Sequence, residues 1–200
     1  MFLFQKILHA LDFFAHPARI PAQRIANHRC GFDHDNHCGA TPQPNCWSDD
    51  WVTFWRERRL GHQLALARTR GVADRTVMEA VEAVIEQTAA LVAPTQGEPM
   101  SLLHGDLWGG NVLADAEGAP VIIDPAAYYG HREADLGMTT LFGGFGEDFY
   151  ASYDETWPLV PGWRRRLSLY ALYHALNHLN LFGGGYRSLC LSQAERALAG

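Results

Sequence analysis

Two stretches of this 200-residue sequence set polar side chains at spacings that could do chemistry: His104-Gly105-Asp106-Leu107-Trp108-Gly109-Gly110-Asn111, and Ile122-Ile123-Asp124. An H-x-D-x-x-x-x-N run followed by an acid at the end of an apolar strand suits phosphoryl transfer, which must orient an acceptor hydroxyl and hold polyphosphate charge. Asp106 fits the first of these roles, since it can hydrogen-bond the hydroxyl and accept its proton as the O–P bond forms. Asn111 and Asp124 fit the second, as hard oxygen ligands for one or two Mg²⁺ ions carrying ATP. A loop cap at Asp106, a strand-start amide at Asn111 and a turn acid at Asp124 are the plainer alternatives, and the joint spacing argues against them. His104 is expected to brace the loop, with direct substrate contact as the alternative. Gly105, Gly109 and Gly110 can relieve crowding where the chain turns, and Trp108 can pack the loop or wall the acceptor pocket.

The elements that must position these residues are mostly helical. Asn111 to Ala114 reads as a strand, Asp115-Ala116-Glu117-Gly118 as a turn, and Pro120 to Ile123 as the return strand, so Asn111 and Asp124 can meet across one hairpin. Trp47, Trp51, Trp55, Leu60 and Leu64 recur near helical spacing with a slight phase drift, predicting a helix over 47–70 capped by Ser48 or Asp49 and stopped by Gly71. A second helix is expected from Asp74 to Leu91, with Val77, Val81, Val84 and Leu91 inward. Later helices are expected over Glu133–Phe142, Glu147–Thr156, Arg164–Leu181 and Ser192–Ala199. Residues 1–46 read as a short helix followed by loops, because Pro and Gly interrupt them repeatedly. The fold class is α+β: a helical lobe carrying a small β-hairpin.

Composition narrows the function classes. The net charge of −6 leaves no broad basic field for a nucleic-acid backbone. Gln5, Lys6, His9 and Asp12 interrupt the apolar N-terminus, so neither a signal peptide nor a membrane span is expected, and a cytoplasmic location follows as an expectation. Cys30, Cys38 and Cys46 with His28, His34 and His37 invite a zinc reading, but seven-residue gaps are not the short pairs of structural zinc loops; ordinary reduced thiols are expected, Cys190 included.

A longer set of motifs accompanies the catalytic stretch: Ile123-Asp124-Pro125-Ala126, Tyr128-Tyr129-Gly130-His131-Arg132-Glu133-Ala134-Asp135-Leu136, Leu141-Phe142-Gly143-Gly144-Phe145, Asn177-His178-Leu179-Asn180-Leu181-Phe182-Gly183-Gly184-Gly185-Tyr186, and upstream Gly31-Phe32-Asp33-His34-Asp35-Asn36 and Thr41-Pro42-Gln43-Pro44-Asn45. Over most of residues 31–191 the sequence resembles the fructosamine kinase (ketosamine-3-kinase) family, itself similar to aminoglycoside and choline kinases. The resemblance implies a protein-kinase-like C-terminal lobe over 31–200 after a divergent segment 1–30. It implies ATP- and Mg²⁺-dependent phosphorylation of a sugar-derived hydroxyl on a ketosamine, free or on a glycated protein lysine. The family's base matches Asp106 and its metal ligands match Asn111 and Asp124. Asp135 looks like a loop-supporting acid or a helix-start carboxylate, and His131, Trp157, His178 and Asn180 could approach the acceptor or simply pack. Lys6 is the only lysine and lacks the context of a phosphate lysine, so the family's N-terminal β-lobe is expected to be absent, with self-association as one way to cover the exposed surface. A non-catalytic remnant, or a kinase for an aminoglycoside-like or choline-like alcohol, are the alternatives.

Overall fold

The computed structural model describes residues 29–116 and 120–199. The segment 1–30 read as divergent, and the short helix expected in it, lie outside them, apart from Arg29 and Cys30, as do residues 117–118 of the expected turn. In chain order the elements are β1 (Asn36–Cys38), β2 (Thr41–Gln43), α1 (Trp51–Phe54), a π-helical stretch (Trp55–Gly61), α2 (His62–Arg70), α3 (Arg75–Val92), β3 (Ser101–Leu103), β4 (Val112–Ala114), β5 (Pro120–Ile122), β6 (Tyr128–Gly130), α4 (Glu133–Thr139), α5 (Glu147–Thr156), α6 (Trp163–Phe182) and α7 (Arg187–Leu198). The class is α+β, and the sheets among the described residues are three antiparallel two-stranded pairs: β1 with β2, β3 with β6, β4 with β5.

The first helix begins later than expected, at Trp51. Asp50 supplies the cap, accepting from the Thr53 N–H at 2.8 Å. Ser48 instead bridges backbone to backbone with Cys30, which leaves Trp47 outside the helix, its ring 5.8 Å from that of Tyr129. The phase drift has a structural cause. Trp55 and Leu60 stand five residues apart, and the π turns absorb the extra residue, so Trp51, Trp55, Leu60 and Leu64 all stay buried on one face. Gly61 permits this, since a Cβ there would lie 2.7 Å from the Arg56 carbonyl oxygen. The helix ends at Gly71 (φ +67°), and Asp74 caps α3 through the Val77 N–H.

The helix α6 is buried on almost every side from Arg166 to Asn177, as befits a central element with α4 and α7 packed along it. Two further helix ends differ from expectation. α4 stops at Thr139, where the hydroxyls of Thr139 and Thr140 bond back to the Leu136 and Gly137 carbonyls and left-handed Gly143 and Gly144 follow. α7 starts at Arg187, because the 3₁₀ turn Gly184–Tyr186 leads directly into it and no side-chain cap marks the start. The remaining ends agree with expectation to within a residue or two.

Apolar side chains form two cores. The larger joins the α1 to α3 region with α6 and α7; the smaller gathers Leu107, Leu136, Phe149, Tyr150, Tyr153, Leu159 and Leu167. A fully buried ion pair ties α4 to α6: Arg166 Nη2 donates to Glu133 Oε1 at 2.6 Å and Nε to Oε2 at 2.7 Å. Glu133→Ala leaves the Arg166 charge buried without its partner, so a loss of roughly 3–5 kcal/mol is expected, read as a lower denaturation midpoint. Among the described residues no helix is long and apolar enough to cross a membrane.

Candidate active site

The stretch from His104 to Asn111 leaves β3 and is held as a shaped loop by its own side chains. Leu107 is fully buried in the smaller core, worth about 1.5–3 kcal/mol for a side chain of this kind, and so pins the loop while its neighbour Asp106 stays partly open to solvent. Asp135, near the start of α4, accepts the backbone N–H groups of His104 and Gly105, both at 2.8 Å. Burial pushes the Asp135 carboxyl up, while the neighbouring His104 and the two N–H donors pull the other way.

His104 is buried. Its Nδ1 accepts the Asp106 N–H at 3.3 Å, so Nε2 carries the ring proton and donates to the Ile123 carbonyl at 2.9 Å. The imidazole therefore couples the loop to the segment that bears Asp124. Two backbone bonds strengthen the same seam: Ile123 N–H to the Asn111 carbonyl at 3.0 Å and Ala126 N–H to the His104 carbonyl at 2.8 Å. Between those anchors Asp124 adopts φ +54°, the only left-handed non-glycine among the described residues. The Asn111 side-chain amide donates to the Asp106 carbonyl at 2.9 Å and approaches the Asp106 carboxylate at 3.5 Å. Its nitrogen is thereby engaged, and Oδ1 is the end left to meet a cation. The structure thus brings Asp106, Asn111 and the Asp124 segment onto one connected frame.

Burial raises the Asp106 carboxyl above its ordinary value, opposed by His104, by His178 and by the Asn111 amide. A carboxylate so placed holds a proton better than one in water.

Glycines decide whether the frame can close. Gly105 has φ +80°, and a Cβ there would sit 2.1 Å from the Ala126 carbonyl oxygen. Gly105→Ala is expected to cost about 3 kcal/mol or more, from left-handed strain and backbone overlap together, checked by chemical denaturation. Gly109 packs on Gly144, while Trp108 lies over Gly110 and remains 37% exposed.

A model of the family described as fructosamine kinase matches residues 17–199. The chain belongs to the fructosamine kinase family. It is 50% identical over 162 residues to a chloroplastic protein-ribulosamine 3-kinase of Arabidopsis thaliana, covering 81% of this chain and 49% of the relative. It is 42% identical over 171 residues to the ketosamine-3-kinase of Mus musculus, covering 86% of this chain and 54% of that protein. A crystal structure of a candidate fructosamine-3-kinase from Thermobifida fusca superposes with a TM-score of 0.85 at 36% identity, over 98% of this chain and 65% of that one. The chain thus spans about half the length of the curated relatives it matches.

Within this fructosamine kinase fold the other candidates separate. His178 is near the loop: its ring lies 4.7 Å from Phe142 and 5.5 Å from Phe182, and Phe142 meets Trp108 edge-on at 6.1 Å. These rings make an aromatic rim beside Asp106, and the exposed Phe142 and Phe182 carry no polar group that would have marked them in sequence. Asn180 is turned inward, donating to the Gln63 carbonyl and side chain at 2.9 and 2.8 Å. Trp157 covers the Arg132 guanidinium at 4.2 Å. His131 is buried 2.9 Å from Glu98 and faces a cavity of about 510 Å³ that no catalytic-loop residue lines. These three support packing.

Sequence reasoning did not foresee the brace behind the loop. Gln43 Nε2 donates to the Ala126 carbonyl at 3.0 Å, Asn36 Nδ2 to the Ala127 carbonyl at 2.8 Å, and Tyr173 Oη to Gln43 at 2.7 Å. Arg59, fully buried, bonds Pro44 and Asn45 and lies 4.0 Å over the Tyr128 ring. The upstream motif Thr41 to Asn45 is therefore the strut that fixes the chain just after Asp124. Cys38 and His174 also reach the Asp106 carboxylate, and neither carried a signal tying it there.

Proposed function

We propose that this chain carries the acceptor and metal side of an ATP-dependent ketosamine kinase, transferring the γ-phosphoryl group to a sugar-derived hydroxyl. The observation that supports this reading best is the single hydrogen-bonded frame joining Asp106, Asn111 and the left-handed Asp124. Asp106 hydrogen-bonds the acceptor hydroxyl and takes its proton as the new O–P bond forms; its raised proton affinity suits that role. Asn111 Oδ1 and the Asp124 carboxylate are hard oxygen donors that fit Mg²⁺, which neutralises charge on the transferring group when bound. His104 is a positioning residue: it holds the loop against the Ile123 carbonyl so that base and metal ligands keep their relative places.

The names of the relatives, ribulosamine 3-kinase and ketosamine-3-kinase, favour a ketosamine as acceptor, small or on a protein lysine. The rim of Trp108, Phe142 and His178 suits it, since the C–H face of a sugar packs on aromatic rings. The test is mass-spectrometric detection of phosphate on a ribulosamine- or fructosamine-bearing peptide incubated with the chain, ATP and Mg²⁺, beside an aminoglycoside and choline. Ketosamine phosphorylation exceeding the others is expected; phosphate appearing only on the aminoglycoside or choline, or on nothing, would contradict the reading.

A further inference from the structure

Behind the carboxylate of Asp106 lie two side chains that the transfer chemistry does not use. Cys38 comes from the end of β1 and His174 from the middle of α6, and their donor atoms and an Asp106 oxygen all lie within 4.8 Å of one another. They form the one such group among the described residues. His174 Nδ1 is 3.9 Å from Asp106 Oδ1 and, although fully buried, has no hydrogen-bond partner. An orphaned imidazole nitrogen aimed at a carboxylate and a thiol is costly unless something joins them.

We propose that Cys38, Asp106 and His174 form a site for a zinc-class divalent cation, distinct from the nucleotide's magnesium. The donor set is one sulfur, one nitrogen and one oxygen, which selects a borderline-soft ion over Mg²⁺. A tetrahedral zinc centre needs donor separations of roughly 3.3–3.6 Å, so side-chain shifts of about 1 Å close the site. The partly exposed Asp106 side chain gives the site an edge open to solvent. Orienting contacts are in place: the Asn177 amide donates to Cys38 Sγ at 3.4 Å and is itself met by Gln63 at 3.4 Å.

Charge and protons balance. Burial pushes the His174 imidazole down to about 3, so the ring is already neutral and needs to lose nothing. Burial, reinforced by Asp106, pushes the Cys38 thiol up to about 12, so the metal must displace that proton to solvent as the sulfur–metal bond forms. A dication with one thiolate, one carboxylate and one neutral imidazole sums to zero charge, which a buried site tolerates. Occupancy engages the Asp106 oxygen, so metal binding and proton acceptance there exclude one another; this consequence rests on the proposed role of Asp106, whereas the site itself does not.

The test uses Co²⁺ as a spectroscopic probe on the full chain carrying Cys46→Ser, which removes the exposed thiol. A thiolate-to-cobalt absorption that saturates at one equivalent and is displaced by zinc is expected. In the further variant Cys38→Ser, the band is expected to vanish and zinc affinity to fall by about 100-fold or more, with the melting temperature reporting that the chain is folded. No band in the starting chain, or a band that survives Cys38→Ser, overturns the site. In the transfer assay with chelator-buffered free zinc, the starting chain is expected to lose at least about 10-fold in rate and Cys38→Ser to lose little. Equal inhibition of both would overturn the exclusion, while an absence of transfer in the zinc-free starting chain supplied with ATP and Mg²⁺ counts against the kinase reading alone, because the cobalt spectrum requires no turnover.

Discussion

Asp106→Asn is expected to reduce phosphoryl transfer by about 10²- to 10⁴-fold while leaving the chain folded and no less stable at neutral pH. The kinetic half follows from removing the only carboxylate that the loop presents toward solvent beside Asn111. The stability half follows from the sign of its titration. Burial raises the folded-state affinity of Asp106 for a proton above the ordinary value of 3.8. The unfolded chain then loses its proton first as pH rises, so ionisation of Asp106 costs stability progressively from that ordinary value up to the raised one, and the cost persists above it. Below the ordinary value the cost is absent. A neutral isostere escapes the penalty at pH 7, so the melting temperature of the Asp106→Asn variant should hold or rise even as transfer collapses. Paired melting and transfer measurements decide it; a variant that melts early would mean Asp106 serves the fold, and one that transfers normally would remove it from the chemistry.

Asp124→Gly separates strain from function in the same way. A non-glycine residue at φ +54° costs about 1 kcal/mol or more, and glycine relieves that at a comparable loss of chain entropy. The melting temperature is therefore expected to move by no more than a few degrees, since about 1 kcal/mol corresponds to roughly 2–4 °C in a chain of this size. Transfer is expected to fall by about 10²- to 10³-fold, the scale seen when one group that stabilises developing charge is deleted. Strain kept at a position that glycine could relieve points to a side chain retained for what its carboxylate does. A glycine variant as active as the parent would make Asp124 an ordinary turn residue.

Much of this arrangement was legible in the residues. The hairpin carrying Asn111 and Asp124 could be read because its strands are short, β-rich and joined by a turn-forming run, and its register depends only on neighbours in sequence. The helix α3 could be read from its cap at Asp74 and its period of valines. The pairing of β3 with β6 could not: Leu103 meets Tyr128 from far along the chain, and short buried strands carry no alternation to announce a partner. The strut at Gln43, Asn36 and Arg59 was equally hidden, because its meaning lies in carbonyl groups of Pro44, Ala126 and Ala127, and backbone oxygens have no sequence signature. The five-residue step from Trp55 to Leu60 was visible as a drift in phase, yet only the π turns show that it keeps both side chains of the stripe inward. Of the residues proposed for the site, Asp106, Asn111 and Asp124 were singled out by spacing, while Cys38 and His174 arrive from β1 and α6 by tertiary packing alone.

The central claim is that Asn111 and Asp124 together hold the nucleotide's cation beside Asp106. Electron paramagnetic resonance of Mn²⁺, titrated with ATP into the parent chain and into Asn111→Ala and Asp124→Ala, tests it most directly. Bound Mn²⁺ that depends on ATP in the parent and is lost in each variant is the result predicted; the same ATP-dependent binding in parent and variants would contradict it.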